Sequence, residues 1–408
     1  SVISGYWIER RKQGETEFTR VNTTPVAISY SQDNGGILYE TAAFYIDREI
    51  SNGDEVEYRV QALDIFGRVS DFSETLSVKV YKVSPPVQPV LGEPKLSASA
   101  NPKRISKTFI HLFELNLENP AVREHLFGAV RMWVEEFGIN GIRLDAADAL
   151  SFAFMRALRS FVEQLKPELW LLGEVIHGDY RQWANDQTLH ATTNYELYKG
   201  FHSAHNEHNY FELAYSLNRQ FGPQGIYQHL ALSNFVDNHD VARIASQLRE
   251  SAALYPLYAV LFTAPGIPSV YYGSEFGVTG VKTHEDWNLR PAFDLEGLKN
   301  TAPQPNLPAW IRRLVDIRKS SPALRWGGYV QRLVAAEQFA FSRHSENEIV
   351  LVLLNNANNQ TDVSVPMPGM AGKHFIDLLT QGDAFTSDGR GNLAIPMHPK
   401  SARILRGE

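Results

Sequence analysis

Three acidic residues, Asp145, Glu174 and Asp240, close three apolar runs: Gly-Ile-Arg-Leu-Asp over 141–145, Leu-Leu-Gly-Glu over 171–174 and Phe-Val-Asp-Asn-His-Asp over 235–240. If these runs are parallel strands of one βα sheet, their C-terminal ends share a face, where such folds assemble active sites. One such acid alone would be read more simply as the N-cap of the next helix. Three in the same position predict convergence on one site. Cleavage of a glycosidic bond needs two carboxylates in unlike environments, one ionised for attack and one protonated to serve the leaving oxygen. Arg143 lies two residues before Asp145, on the same face of a strand, so its cation favours the ionised carboxylate and makes Asp145 the better nucleophile. Glu174 follows an apolar strand near other carboxylates, and burial and like charge favour the protonated form that a general acid requires.

The elements that must hold these residues follow from changes of period along the chain. Residues 1–83 read as short alternating strands with turn formers such as Asn34-Gly35-Gly36 between them, an all-β module. Residues 84–103, with five prolines at 85, 86, 89, 94 and 102, read as a linker. Val122, Leu126, Val130, Trp133 and Phe137 then recur at helical spacing behind Asn119 as N-cap and Pro120 at the first helical position, with Gly138 as the stop. Strand and helix patterns alternate from there, which predicts parallel βα units over 104–325. A second β module occupies 326–408. The predicted class is therefore multidomain, α/β plus all-β, with β-sandwich modules flanking a domain of parallel βα units, the unit from which (β/α)8 TIM-type barrels are built.

The segments 141–147, 173–175 and 235–240 resemble three signature regions of the α-amylase family of glycoside hydrolases. Leu115–Arg123 and the Gly-Ile-Pro-Ser-Val-Tyr-Tyr-Gly-Ser-Glu run over 266–275 extend the likeness to about residues 112–320, and the last module resembles that family's C-terminal β-sandwich. By this resemblance Asp145 is the nucleophile, Glu174 the acid/base, and Asp240 the acid that holds sugar hydroxyls and stabilises the transition state. Arg143 and His239 are implied substrate partners. The stretch from His177 to Tyr195 looks more like the maltodextrin- and cyclomaltodextrin-acting members than the secreted starch amylases. His177 and Tyr195 join the expected substrate-binding set, as do Asp286 and Arg290, for which a surface ion pair is the plainer alternative. Tyr58 and the run behind it, to Ser70, resemble the penultimate strand of a fibronectin type III domain, with Tyr58 at the tyrosine-corner position.

The chain departs from the α-amylase pattern in one respect. The first signature, Asp-x-x-x-Asn-His, is absent, and the stretch 86–112 is shorter than the ~30 residues of a single βαβ unit. The expectation is an incomplete barrel of about five βα units, covered by the N-terminal module, the linker or a second copy of the chain in a homo-oligomer. The resemblance implies no required cofactor; calcium would be conceivable, but its usual family ligands are missing. His202, His205 and His208 share a three-residue spacing that could serve a metal, with solvated or capping histidines as the plainer reading.

Composition bounds the rest. At 408 residues with 43% hydrophobic and 21% charged, the chain is globular and built of two or three domains. A net charge of −7 with no basic block argues against nucleic acid. No apolar run approaches the ~20 residues of a membrane span, and strand-like sequence starts almost at once without a basic and apolar leader. The absence of cysteine leaves the redox compartment, and so a secreted or cytoplasmic location, open. The expected activity is retaining cleavage or transfer on α-1,4-linked maltodextrins. The alternative is an α-glucan-binding protein that keeps the residues without the catalysis.

Overall fold

The computed structural model describes residues 3–27, 30–32, 38–40, 45, 47, 49–51, 53–64, 67–80, 115–283, 286–380 and 382–408. The expected linker over 84–103 lies outside the described residues. Contacts divide the chain into two units, Ser1–Asn116 and Leu117–Glu408.

In the first unit, β1 (Ile3–Lys12) is the centre of an antiparallel sheet. It pairs with β2 (Thr19–Arg20), β3 (Val26–Ala27) and β6 (Glu55–Asp64), and β6 pairs in turn with β7 (Leu76–Lys79). A separate hairpin joins β4 (Tyr30–Gln32) to β5 (Leu38–Glu40). Ile8 of β1 and Val56 of β6 are the buried apolar residues of the main sheet among the described residues. The tyrosine-corner expectation is corrected here. The Tyr58 hydroxyl donates to the Asp47 carboxylate at 2.8 Å, which Arg10 also grips at 2.7 Å, and not to an upstream backbone carbonyl. A buried acid within reach outcompetes a neutral carbonyl as acceptor.

The second unit opens with α1 (Pro120–Phe137), whose ends are set locally. The Asn119 side chain accepts from the Ala121 N–H, and Gly138 adopts φ 65° to close the last turn. Asn119→Ala is expected to cost about 1 kcal/mol of stability, seen as a lower denaturation midpoint with an unchanged slope. The face predicted to be core differs from the one found. Of the five apolar positions only Val130 is buried, while Trp133 is 41% and Phe137 68% exposed. A helical period identifies an apolar face but not its partner: α1 packs on the core through Leu126, Phe127, Val130 and Val134, with Phe127 stacked on Phe161 of the next helix at 4.8 Å. Tyr272, in the apolar run 266–275, is likewise 43% exposed.

The strand and helix alternation follows. β8 (Gly141–Leu144), α2 (Phe152–Leu165), β9 (Trp170–Gly173), β10 (Ala191–Thr192), α3 (Tyr195–Asn206), α4 (Phe211–Phe221), β11 (Ser233–Phe235), α5 (Ile244–Gln247), α6 (Leu254–Thr263) and β12 (Ile267–Ser269) succeed one another. β8, β9 and β10 pair in parallel, β11 and β12 likewise, and a parallel bridge from Thr193 to Ser233 joins the two sets. Five parallel strands are thus connected among the described residues. α6 is buried along its whole length, because helices cover parallel strands from outside and are themselves covered.

After α7 (Leu295–Thr301), α8 (Leu307–Ser320) and α9 (Pro322–Trp326), the chain forms eight further strands. They are β13 (Gly328–Val334), β14 (Gln338–His344), β15 (Ile349–Asn355), β16 (Thr361–Pro366), β17 (His374–Asp377), β18 (Ala384–Thr386), β19 (Asn392–Met397) and β20 (Ser401–Gly407). Six of them make one sheet in the order β13-β14-β15-β20-β17-β18, and β16 pairs with β19 as a second. β15 reads Ile-Val-Leu-Val-Leu-Leu-Asn without alternation because both its faces are covered. Val350, Val352 and Leu354 join the helical core, whereas Leu351 and Leu353 face Val363, Val365 and Ile395 inside the sandwich.

Candidate active site

The parallel register delivers the predicted acids to one end of the sheet. Arg143 is level with Leu172 and Leu144 with Gly173, so Asp145 and Glu174 leave adjacent strands side by side. Gly173 permits that approach: a Cβ there would meet Leu189 Cδ1 at 2.3 Å and the Ala147 Cβ at 2.9 Å. Ala146, directly after Asp145, sits in the left-handed region at φ 41°, ψ 47°, a conformation that non-glycine residues adopt only when their surroundings hold them there. The hold is visible. The Ala146 N–H donates to Glu174 Oε2 at 3.1 Å and the Ala147 N–H to the Glu174 carbonyl at 2.8 Å.

Arg143 is the hinge of the charge arrangement. One guanidinium nitrogen bonds Asp145 Oδ1 at 2.6 Å and the other Glu174 Oε1 at 2.9 Å. The hydrogen bond to Arg143 is the main reason that the Asp145 pKa lies below its usual value, with Glu174 and His239 adding to the effect. Its side chain is 78% exposed, whereas that of Glu174 is 10% exposed. The two carboxylates therefore stand in the unlike surroundings expected, with a shared cation that the spacing predicted for Asp145 alone.

Tyr195 connects Glu174 to the third acid. Its hydroxyl donates to Glu174 Oε1 at 3.3 Å and accepts from Asn238 Nδ2 at 3.0 Å. Burial, chiefly, pushes this phenol up to about 12, so it remains a neutral donor. Asn238 Oδ1 accepts in turn from the backbone N–H groups of Asp240, at 2.8 Å, and Val241, at 3.1 Å, an Asx turn that fixes the loop carrying Asp240. Asp240 Oδ1 accepts from Arg290 at 2.8 Å, and Oδ2 lies 3.0 Å from His239 Nε2. Arg290 also donates to the His239 carbonyl at 3.1 Å, so it forms an ion pair at the site itself and not on a remote surface.

Arg143, Asp145, Glu174, Tyr195, His239, Asp240 and Arg290 are thus brought together. His177 is exposed on the bend before Gly178. Asp286 begins the short turn Asp286–Asn288, and its side chain lies outside the described residues. Sequence reasoning passes over Asn238, although an Asn two residues before a loop acid is itself a turn signal. It also passes over Lys282, whose Nζ donates to the Asp240 carbonyl at 2.6 Å. The three histidines of α3 and its end have separate partners. His205 is buried against the Phe201 carbonyl at 2.6 Å, His208 bonds Glu337 at 2.6 Å, and the His202 ring packs 5.5 Å from that of Tyr198. Among the described residues no group of three or more His, Asp or Glu is placed to hold a metal ion.

Asp237 is fully enclosed behind the site. It accepts from Ser274 Oγ at 2.7 Å and the Ile244 N–H at 2.8 Å, yet burial lifts its pKa from 3.8 to about 6. A folded-state pKa above the unfolded one means that this group's contribution to stability is complete below 3.8 and is lost as pH rises through about 6. Asp237→Asn keeps an acceptor for both bonds. Its Tm relative to the parent is expected to improve on passing from below to above about pH 6, read by calorimetry at matched ionic strength.

The profile of the α-amylase catalytic domain matches residues 105–303, and that of the maltogenic amylase C-terminal domain matches 332–404. Neopullulanase 2 of Thermoactinomyces vulgaris is 31% identical over 301 residues, which are 72% of this chain and 49% of that protein. A cyclomaltodextrinase of a Bacillus species is 30% identical over 251 residues, 60% of this chain and 43% of that one. Among solved structures, an Anoxybacillus α-amylase superposes with a TM-score of 0.62 at 26% identity, over 72% of this chain and 64% of that one. The chain spans about half the length of the curated relatives it matches. With Asp145 and Glu174 bridged by Arg143 at the strand ends, Asp240 linked to them through Tyr195 and Asn238, and both profiles matched in order, the chain belongs to the α-amylase family, with that family's catalytic domain followed by a maltogenic-amylase C-terminal domain.

Proposed function

We propose that this protein is a retaining glycoside hydrolase acting on α-1,4-linked maltodextrins by double displacement. The observation that carries the reading is the single guanidinium of Arg143 gripping both Asp145 and Glu174. Two carboxylates held so closely fit the separation of about 5–5.5 Å in retaining enzymes better than the about 6.5–9.5 Å that leaves room for a water in inverting ones. In the first step an Asp145 oxygen bonds the anomeric carbon as the bond to the leaving oxygen breaks, and that oxygen takes the Glu174 proton. In the second step Glu174 recovers a proton from the acceptor as the acceptor oxygen displaces Asp145. Water as acceptor gives hydrolysis and a sugar hydroxyl gives transfer. Asp240, oriented by Arg290 and Asn238, faces the positive charge that develops on the sugar ring. The reaction uses side chains throughout and requires no cofactor.

The relatives named neopullulanase and cyclomaltodextrinase support maltodextrins as the substrate class. The enzyme names of these relatives and the Arg143 bridge between Asp145 and Glu174 favour an enzyme over a binding protein that has lost its catalytic geometry. The parallel sheet of about five strands, in which β8 pairs with β9 alone among the described residues, supports the finer reading of a barrel covered by a second copy of the chain. Light scattering that finds only monomer at high concentration would remove that part. The function is tested by incubating the purified chain with maltoheptaose and resolving products by length and anomeric configuration. Shorter or longer glucans with retained α-configuration are expected; no product at any enzyme concentration, or inverted product, overturns the reading.

A further inference from the structure

Arg243 is among the largest fully buried side chains of the molecule, with 0% exposure. A guanidinium so enclosed is ordinarily paired directly with a carboxylate. Here its hydrogen bonds go to loop carbonyls and a hydroxyl. Nη1 donates to the Tyr272 carbonyl at 2.8 Å and to Ser274 Oγ at 3.2 Å, and Nη2 to the Leu289 carbonyl at 2.9 Å. Negative charge reaches it at one remove, since the Ser274 hydroxyl donates a hydrogen bond to Asp237 at 2.7 Å. The rings of Tyr271 and Tyr272 lie 4.6 Å and 5.2 Å from its central carbon and shield it from water. Its backbone N–H donates to the Gly280 carbonyl at 2.9 Å.

Those carbonyls belong to the segments that surround Asp240. Leu289 directly precedes Arg290, whose guanidinium holds Asp240 Oδ1. Tyr271 adds a second bond to the same Leu289 carbonyl, from its hydroxyl at 3.1 Å. Arg243 itself follows Asp240 by three residues, on the loop that leaves β11. One planar fork thus ties the loop after β12 and the segment before Arg290 to the loop of the third acid. A lysine, with a single point of charge, cannot span the two carbonyls in the same way.

We propose that Arg243 is a positioning residue that sets the Arg290–Asp240 pair by holding the Leu289 carbonyl, without itself touching the sugar. The inference rests on the glucan-cleaving reading for its kinetic consequence but not for its structural one. Arg243→Lys is expected to lower kcat on maltoheptaose by about tenfold to a hundredfold, the effect of a small displacement at a reacting centre, with a lesser change in KM. In the background of Arg290→Ala the same substitution is expected to have no further effect on kcat, because the residue acts through Arg290. Independent, multiplicative effects in that cycle overturn the proposal, as does an unchanged kcat in a folded Arg243→Lys.

Tyr271→Phe, which removes only the second bond to the Leu289 carbonyl, keeps the test alive if Arg243→Lys does not fold. It is expected to show a smaller loss that likewise vanishes beside Arg290→Ala. An arm independent of activity is hydrogen exchange, followed by mass spectrometry, in the peptides covering 286–293 and 238–242. Faster exchange in both, in whichever variant folds, supports the positioning role even if the parent chain cleaves no glucan; unchanged exchange overturns it. Absence of cleavage by the parent would sink the proposed function alone.

Discussion

Glu174→Gln is expected to lower kcat/KM on maltoheptaose by about 10²–10⁴-fold, the range supplied by a positioned general acid, while the affinity for the oligosaccharide stays within a few-fold of the parent's. Glutamine keeps the shape of the side chain and an oxygen for Arg143 and Tyr195, which bond Glu174 Oε1 at 2.9 Å and 3.3 Å. It has no proton to give. A glycosyl fluoride supplies a leaving group that departs without protonation, so the first step on maltosyl fluoride should be far less affected than cleavage of maltoheptaose. Asp145→Asn, in contrast, removes the nucleophile and should suppress both substrates together. Equal losses on the two substrates for Glu174→Gln would remove Glu174 from the role of acid. A burst of fluoride from that variant, followed by slow turnover, would locate the remaining defect in the second step, where the same residue acts as base.

Arg143→Met should produce the second large effect, a fall in kcat/KM of about 10²–10³-fold, comparable with loss of one oriented donor at a reacting centre, together with a change in pH profile. The direction follows from the charge arrangement. The hydrogen bond and charge of Arg143 depress the Asp145 pKa in the parent, so the nucleophile stays ionised to lower pH than an ordinary aspartate. Without the cation its pKa rises, and the acid limb of the kcat/KM profile should move to higher pH. Asp145 is largely exposed, so the movement belongs to the catalytic profile and no stability is ascribed to the pair. An acid limb that remains in place, with the rate loss alone, would mean that the guanidinium orients the carboxylates without tuning the nucleophile. Arg143→Lys separates the two effects. It retains the charge near Asp145 but cannot bridge two acids with one planar group, so the limb should hold while the rate falls.

The parts of this molecule that are legible in the sequence are those decided within a turn or a strand. The limits of α1 follow from Asn119, Pro120 and Gly138 because capping bonds reach only two to five residues along the chain. The span of α2 and the core of β15 follow from period and from the apolar run. The candidate acids are legible for a related reason: a carboxylate at the end of a parallel strand has one direction in which to point. The buried face of α1 is not legible, since Trp133 and Phe137 satisfy the period yet stay exposed. Nor is the partner of Tyr58, since the Asn52-Gly53-Asp54 turn signal between it and Asp47 does not say which acid the turn brings near.

By itself the sequence determined the family, the order of the strands, and the placing of Asp145, Glu174 and Asp240 at strand ends, because residue type and position on a strand are local properties. Tertiary structure alone decided which groups those acids touch. Arg143 reaches Glu174 because β8 and β9 lie in one register, Tyr195 reaches Asn238 across 43 residues, and Arg243 finds the Leu289 carbonyl 46 residues away. Contacts of that kind arise from the packing of whole elements, and the charges and hydrogen bonds that tune a site act through space over a few ångströms, whatever the distance along the chain.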